Sequence, residues 1–212
     1  MSIKSSIGNL LRVSIARMDN EIGRNVRLSK ACKMKAPVKI GDDTILRTDV
    51  ELSENVVVGY RCDLSRITVG KNSQIDSEVI CTGYGEGKIF IGEECYIGIR
   101  NILDWSNDIR IGNFVHIAGG SSCLWTHTSY LMALRGEKLS GERKSRSTGR
   151  IRIEDHVYIG GNCTIYPNVS IGNHSVVLPN SAIDKDVESF SMVGGVPGKL
   201  IKRLDPKEFG LG

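Results

Sequence analysis

The hydrophobic positions of this chain recur every six residues over most of its length. With Ile22 as position one of a hexad, that position falls next on Leu28, Met34, Ile40, Leu46, Leu52, Val58 and Leu64 without a break. A one-residue deletion leads to Val69, Ile75 and Cys81. The stretch GYGEGK then inserts four residues before Ile91, Ile97 and Leu103, and a two-residue insertion precedes Ile111, Ile117 and Cys123. After a long break come Ile153, Ile159, Ile165, Ile171, Val177 and Ile183, making 23 hexads. The fifth position is Val, Cys, Thr, Ser or Gly in 20 of the 23. Position four is often Asn, as at Asn25, Asn55, Asn162, Asn168 and Asn180, a residue that tolerates the left-handed backbone of a sharp corner.

Each hexad therefore predicts a short strand with one large inward residue, then a turn with one small inward residue. A fixed repeat of this kind buries its apolar side by stacking on its neighbours, as solenoids do. The expectation is an all-β domain over residues 22–203 with an excursion at 128–150. Residues 1–21 stand outside the repeat. Ile3, Ile7, Leu10, Leu11, Ile15 and Met18 have helical spacing and predict an amphipathic helix that caps the open end. Its Lys4, Arg12 and Arg17 could also meet an anionic membrane surface. Residues 204–212 are expected to form a short tail.

Composition adds limits. The net charge of +4 is too small to argue for nucleic acid. No apolar run approaches a membrane span, and the N-terminus lacks a secretory apolar core. The six cysteines show no C-x-x-C spacing and all fall at inward positions of the hexads, so they are expected to be reduced packing residues of a cytoplasmic protein.

Three hexads break the small-residue rule at position five, with Asn101, Asn107 and His127. Polar residues that replace packing residues in one region point to function. His127 stands where the chain leaves the repeat for 24 extra residues, and long loops in compact domains are usually functional or disordered. Residues 128–150 carry Arg135, Lys138, Arg143, Lys144, Arg146 and Arg150 against Glu137 and Glu142. Such a basic segment could close as a flap over an anionic substrate.

IRIGNFVHIAGGSSCLWTH, a long loop, then IRIEDHVYIGGNCTIYPNVSIGNHSVVLPNSAIDKDVESFSMVGGVPGKLIKRL resembles the galactoside and maltose O-acetyltransferase group of hexapeptide-repeat acyltransferases. The likeness is close over about residues 91–203 and covers residues 22–90 only as further coils. It implies a left-handed parallel β-helix of about eight coils, a hand that chain sterics alone would not favour. It implies O-acetylation of a carbohydrate, with an acidic surface glycan or its precursor among the candidate acceptors, acetyl-CoA as cosubstrate and no metal. His127 takes the place of the catalytic base, and an imidazole can take a proton from a hydroxyl at physiological pH. Gly161 in YIGG matches the backbone donor to the oxyanion and leaves room for the thioester. Cofactor contacts carry over to Pro179, Lys185, Lys199 and Lys202, the lysines meeting phosphate as point charges. Asp184 stands where the family has Thr and sits awkwardly beside a phosphate.

On the acceptor side the resemblance matches Asp104 in NILDW, while the family's substrate-binding Asn falls on Ile97 or Gly98 here. Asn101, Asn107 and Asp104 remain candidates for acceptor contact, and Trp105, Trp125 and Tyr130 could stack on sugar faces. Three alternatives stay open. A γ-type carbonic anhydrase on this helix needs three zinc-binding histidines, a spacing that His116, His127, His156 and His174 do not show. His156 and His174 fall at position four, as turn residues. A sugar N-acetyltransferase is the nearer rival, although coils that begin at Ile22 leave no room for an added N-terminal nucleotide-binding domain. A non-catalytic scaffold would leave the break at His127 without a reason. The family also implies a homotrimer with sites shared between chains.

Overall fold

The computed structural model describes residues 20–138, 140 and 145–211. The helix expected over residues 3–18 lies outside them. No helix among the described residues is long and apolar enough to cross a membrane.

Residues 21–194 wind as a parallel β-helix of three faces. The first face holds nine parallel strands, from Glu21–Ile22 to Ser191–Gly194, and the antiparallel strand Lys199–Arg203 closes its far edge. The second face has eight strands and the third has seven. Neighbours on a face are usually 18 residues apart, as in Ile22↔Ile40 and Ile40↔Val58, so three hexads make one coil. This agrees with the left-handed β-helix that the repeat resemblance implies. Nine rungs replace the eight coils expected. The hexad pattern fades after Ile183, yet Val193 still stacks on Val177.

The inward residues form one apolar column, with Leu64, Ile75, Ile97, Leu103, Ile117 and Ile165 fully buried. Fully burying a side chain of this size is worth roughly 1.5–3 kcal/mol, and every coil repeats the contribution. At the corners the polar position takes left-handed backbone: Asn25, Asn55, Asn162, Asn168 and Asn180 have φ between 56° and 66°. On the corner between the third and first faces, Phe114, His156, His174 and Phe190 share that conformation and stack ring on ring at 5.0, 4.6 and 4.9 Å. The two histidines are thus turn residues, as their hexad position predicts.

The register differs from the hexad count at one place. The added residue falls at Gly119–Gly120, so Ser122 rather than Ser121 is buried, bonded to Cys163 N and Gly160 O. Leu124 then stacks between Leu103 and Ile165. Cys123, expected inside, points outward beside Ile102 and Thr164. The other five cysteines are buried, and all six are free thiols. Leu124→Ala is expected to cost about 2–5 kcal/mol, as for a buried leucine, and Cys123→Ser less than about 1 kcal/mol. Urea melts of the two variants check the register, and the reverse order would restore the hexad count.

Candidate active site

Where the second face turns into the third, the chain makes two excursions. Residues 83–88 leave this corner after the strand Ile80–Thr82. Two coils above, about 10 Å by strand spacing, the longer excursion leaves after Cys123–Leu124. It opens as an antiparallel ribbon in which His127 pairs with Thr148 and Thr128 with Ser147. The short helix Tyr130–Leu134 follows, anchored by buried Met132. The coil between the two excursions carries Asp104, Trp105, Ser106 and Asn107.

His127 hangs from the root of the ribbon, its side chain 21% exposed, and its Nδ1 lies 2.6 Å from Oδ2 of Asp104. Asp104 is fully buried. Its Oδ1 accepts from the Ser106 N–H at 3.0 Å and hydroxyl at 2.6 Å, and its Oδ2 from the Thr126 N–H at 2.9 Å. The Thr126 hydroxyl stands 2.7 Å from the Asp104 carbonyl oxygen and 2.9 Å from Oδ2. Burial alone would raise the Asp104 carboxyl, but the bonds from Ser106 and His127 and the imidazole's charge together hold it below its ordinary value. Surrounded by donors, Asp104 is an anion that accepts from Nδ1–H. That fixes the tautomer and leaves Nε2 as a proton acceptor, the orienting role a carboxylate plays beside a catalytic histidine.

Two rings flank the imidazole edge-on, Tyr84 at 4.7 Å between centroids and Trp125 at 6.1 Å. Arg146, on the returning arm of the flap, lays its guanidinium over the Tyr84 ring, with Cζ 3.3 Å from the centroid.

Several expectations change. Asp104 is fully buried and spends its carboxylate on His127, Ser106 and Thr126. Asn101 is fully buried, donates to the carbonyls of Gly98 and Ile117 and accepts from Ser122 N, so it holds a corner together. Trp105 turns away from His127. It lies over Gly83, donates to Ser65 Oγ at 2.9 Å and carries Arg66 on its ring at 5.0 Å. Asn107 stays near the site, its side chain 3.3 Å from Thr148 Oγ1. Tyr130 opens the flap helix and is 60% exposed. Tyr84, Ser106 and Thr126 escaped sequence reasoning. The signal for Tyr84 was present, since GYGEGK interrupts the repeat at the same corner as the flap.

The residues expected at a cofactor fall into two groups. Lys185 and Lys199 line a cavity of about 270 Å³ with Asp184, Asp186, Glu188 and Arg203. It balances three cations with three carboxylates, although Glu188 is paired to Arg203 and Asp186 accepts from Ser170 N. Lys202 lies outside its lining. Gly161 and Pro179 sit across the second face, at the corner it shares with the first. A Cβ at Gly160 would lie 2.6 Å from Pro179 N, so the coil above requires that glycine. A Cβ at Gly161 would meet nothing closer than 3.4 Å. The fold does not demand Gly161.

Residues 150–185 match the family model for the bacterial transferase hexapeptide (six repeats). That stretch carries the hexapeptide-transferase repeat. The bifunctional protein GlmU of Acinetobacter baumannii (strain ACICU) is 26% identical over 181 residues, covering 75% of this chain and 38% of that protein. GlmU of Halalkalibacterium halodurans is 29% identical over 169 residues, or 71% and 36%. The chain thus spans less than half the length of these relatives. Solved hexapeptide-repeat structures share the fold. AntD, an N-acyltransferase from Bacillus cereus solved with dTDP and 3-hydroxybutyryl-CoA, has a TM-score of 0.52 at 20% identity, covering 90% of this chain and 86% of AntD. The polySia-specific acetyltransferase NeuO has 0.52 at 24%, covering 86% and 85%.

Because the Asp104 carboxyl is depressed, its contribution to stability is complete above its unfolded value near 3.8 and is lost as pH falls through the lower folded value. Thermal unfolding of the native chain should therefore weaken across that acid window. Asp104→Asn, which puts an amide among donors, should be less stable at neutral pH and should show a flatter pH dependence there. Equal slopes for the two proteins would mean that Asp104 does not carry the effect.

Proposed function

We propose that this protein transfers the acetyl group of acetyl-CoA to a hydroxyl of a carbohydrate. The observation that carries the reading is the Asp104–His127 pair, held at 2.6 Å beside two aromatic rings at the mouth of a flap. His127 Nε2 takes the hydroxyl proton as the oxygen attacks the thioester carbonyl. The C–O bond forms, the C–S bond breaks, and the imidazolium returns its proton to the leaving thiolate. A backbone N–H at Gly161 would meet the oxyanion, and its missing side chain, which packing does not require, would admit the thioester.

NeuO, named as an acetyltransferase of polySia, supports a glycan acceptor. AntD, named as an N-acyltransferase and solved with dTDP-4-amino-4,6-dideoxyglucose, supports the second reading, acylation of an amino sugar. A hydroxyl needs a base far more than a neutral amine does, so the oriented imidazole favours oxygen. His127→Ala should fold and bind acetyl-CoA yet lose transfer to a hydroxyl by at least about a hundredfold. Assays on matched hydroxyl and amino acceptors check both points, and near-native turnover would remove His127 from the mechanism.

The reading also calls for a second chain. His127 and Gly161 stand at opposite edges of the second face, so one chain does not bring them together. The outward side of that face carries Ile45, Ile80, Ile102 and Cys123 along with Arg27 and Asp63, with Ile80 43% exposed, whereas the third face presents Lys33, Glu51, Arg110 and Arg152 along with Phe90. A closed threefold assembly burying the second face would set His127 of one chain against Gly161 and Pro179 of another, with the Lys185–Lys199 cavity above His127 on its own corner. His127→Ala chains mixed with Gly161→Val chains should regain activity that neither has alone. Verified mixed trimers that stay inactive would overturn the shared site.

A further inference from the structure

Arg146 is the group around His127 that the proposed reaction leaves unused. Its Nε and Nη1 are screened from solvent and have no hydrogen-bond partner among the described residues. Leaving a buried charged donor unmatched costs more than leaving a neutral one so. Among the described residues, the carboxylates nearby are committed elsewhere. Asp104 is saturated by Ser106, Thr126 and His127, and Glu137 accepts from Ser145, which also receives Arg135. The Tyr84 ring supplies cation–π attraction but no acceptor for the N–H groups. Both His127 and Arg146 pack on that one ring, so imidazole and guanidinium stand within about 8 Å, the two separations taken end to end.

We infer that Arg146 binds a singly charged oxyanion carried by the acceptor glycan, so that this site selects an acidic sugar polymer over a neutral one. The inference rests on the proposed transfer reaction and deepens it. The alternative anion, a phosphate of the cosubstrate, belongs at the far end of a long pantetheine arm. Lys185 and Lys199 line the cavity suited to it, and Lys185 follows the strand Ala182–Ile183 two coils above His127 on the same corner. A cation beside the base faces the reacting end, where the acceptor is the partner that brings charge. Guanidinium suits the task because it can stack on Tyr84 and still donate in its own plane. A ring carboxylate and a bridging phosphodiester offer the same chemistry to it.

The test compares the native chain with Arg146→Gln and Arg146→Lys on four acceptors: polysialic acid oligomers, their carboxyl-reduced form, a phosphodiester-linked glycan and a neutral glucan. The ratio of kcat/KM for an anionic acceptor to that for its neutral counterpart should fall about tenfold to a hundredfold in Arg146→Gln, as for a charge-assisted bond, with partial recovery in Arg146→Lys. Which anionic acceptor shows the fall identifies the oxyanion. An equal loss on charged and neutral acceptors would overturn the inference and leave Arg146 a latch between flap and Tyr84. Direct titration of the same glycans, followed by calorimetry, separates this outcome from failure of the reaction. Arg146-dependent binding of anionic glycans without any acetyl transfer would sink the proposed reaction and keep the inference. Transfer with no charge preference would do the reverse.

Discussion

Backbone hydrogen bonds between successive coils, such as Gly41 N to Val58 O and Gly59 N to Ile75 O at 2.8 Å each, set the height of every residue above its counterpart. Since each strand pairs with the strand one coil away, an inward residue can stack only on inward residues. A one-residue slip would turn a whole rung inside out. The chain absorbs its irregularities at corners, where extra residues can bulge outward. Gly119 and Gly120 do so in a single residue, and the flap does so in more than twenty.

The site inherits its accuracy from this ladder. Asp104 belongs to a strand rung, Ile102–Asp104, and Thr126 and His127 to the next turn of the coil. An unpaired buried carboxylate would cost several kcal/mol. Here the cost is offset by bonds from residues that the coils already fix in place. The imidazole is therefore aimed by the body of the helix, whereas Tyr84, Trp125 and Arg146 reach it from the corner and its loops.

The periodicity of the chain made the architecture legible, because the inward position repeats without regard to long-range contacts. Ile22 to Leu64 and Ile153 to Ile183 announce the coils, and the asparagines announce the corners. His127 was visible because it stands where the repeat stops. What periodicity could not convey was direction at the corners. Asn101 and Asn107 break the same rule, yet Asn101 folds inward to bond its own coil while Asn107 stays beside the flap. Trp105 and Trp125 lie at one corner on successive coils, but the register sets Trp125 over Asp104, and Trp105 finds a partner in Ser65, 40 residues earlier. GYGEGK marks where the loop leaves, but the contact of Tyr84 with His127 depends on how that loop climbs two coils.

Both excursions begin and end at one corner without altering the pairing of the rungs around them. A loop closed in this way lengthens at an entropic cost that grows only as the logarithm of its length. A strand rung, by contrast, cannot gain a residue without shifting its neighbours. The two parts of the site are thus free to change at different rates. Lineages of such a protein can reshape what this corner receives by rewriting residues 83–88 and 128–150, while the buried carboxylate and its imidazole stay as they are.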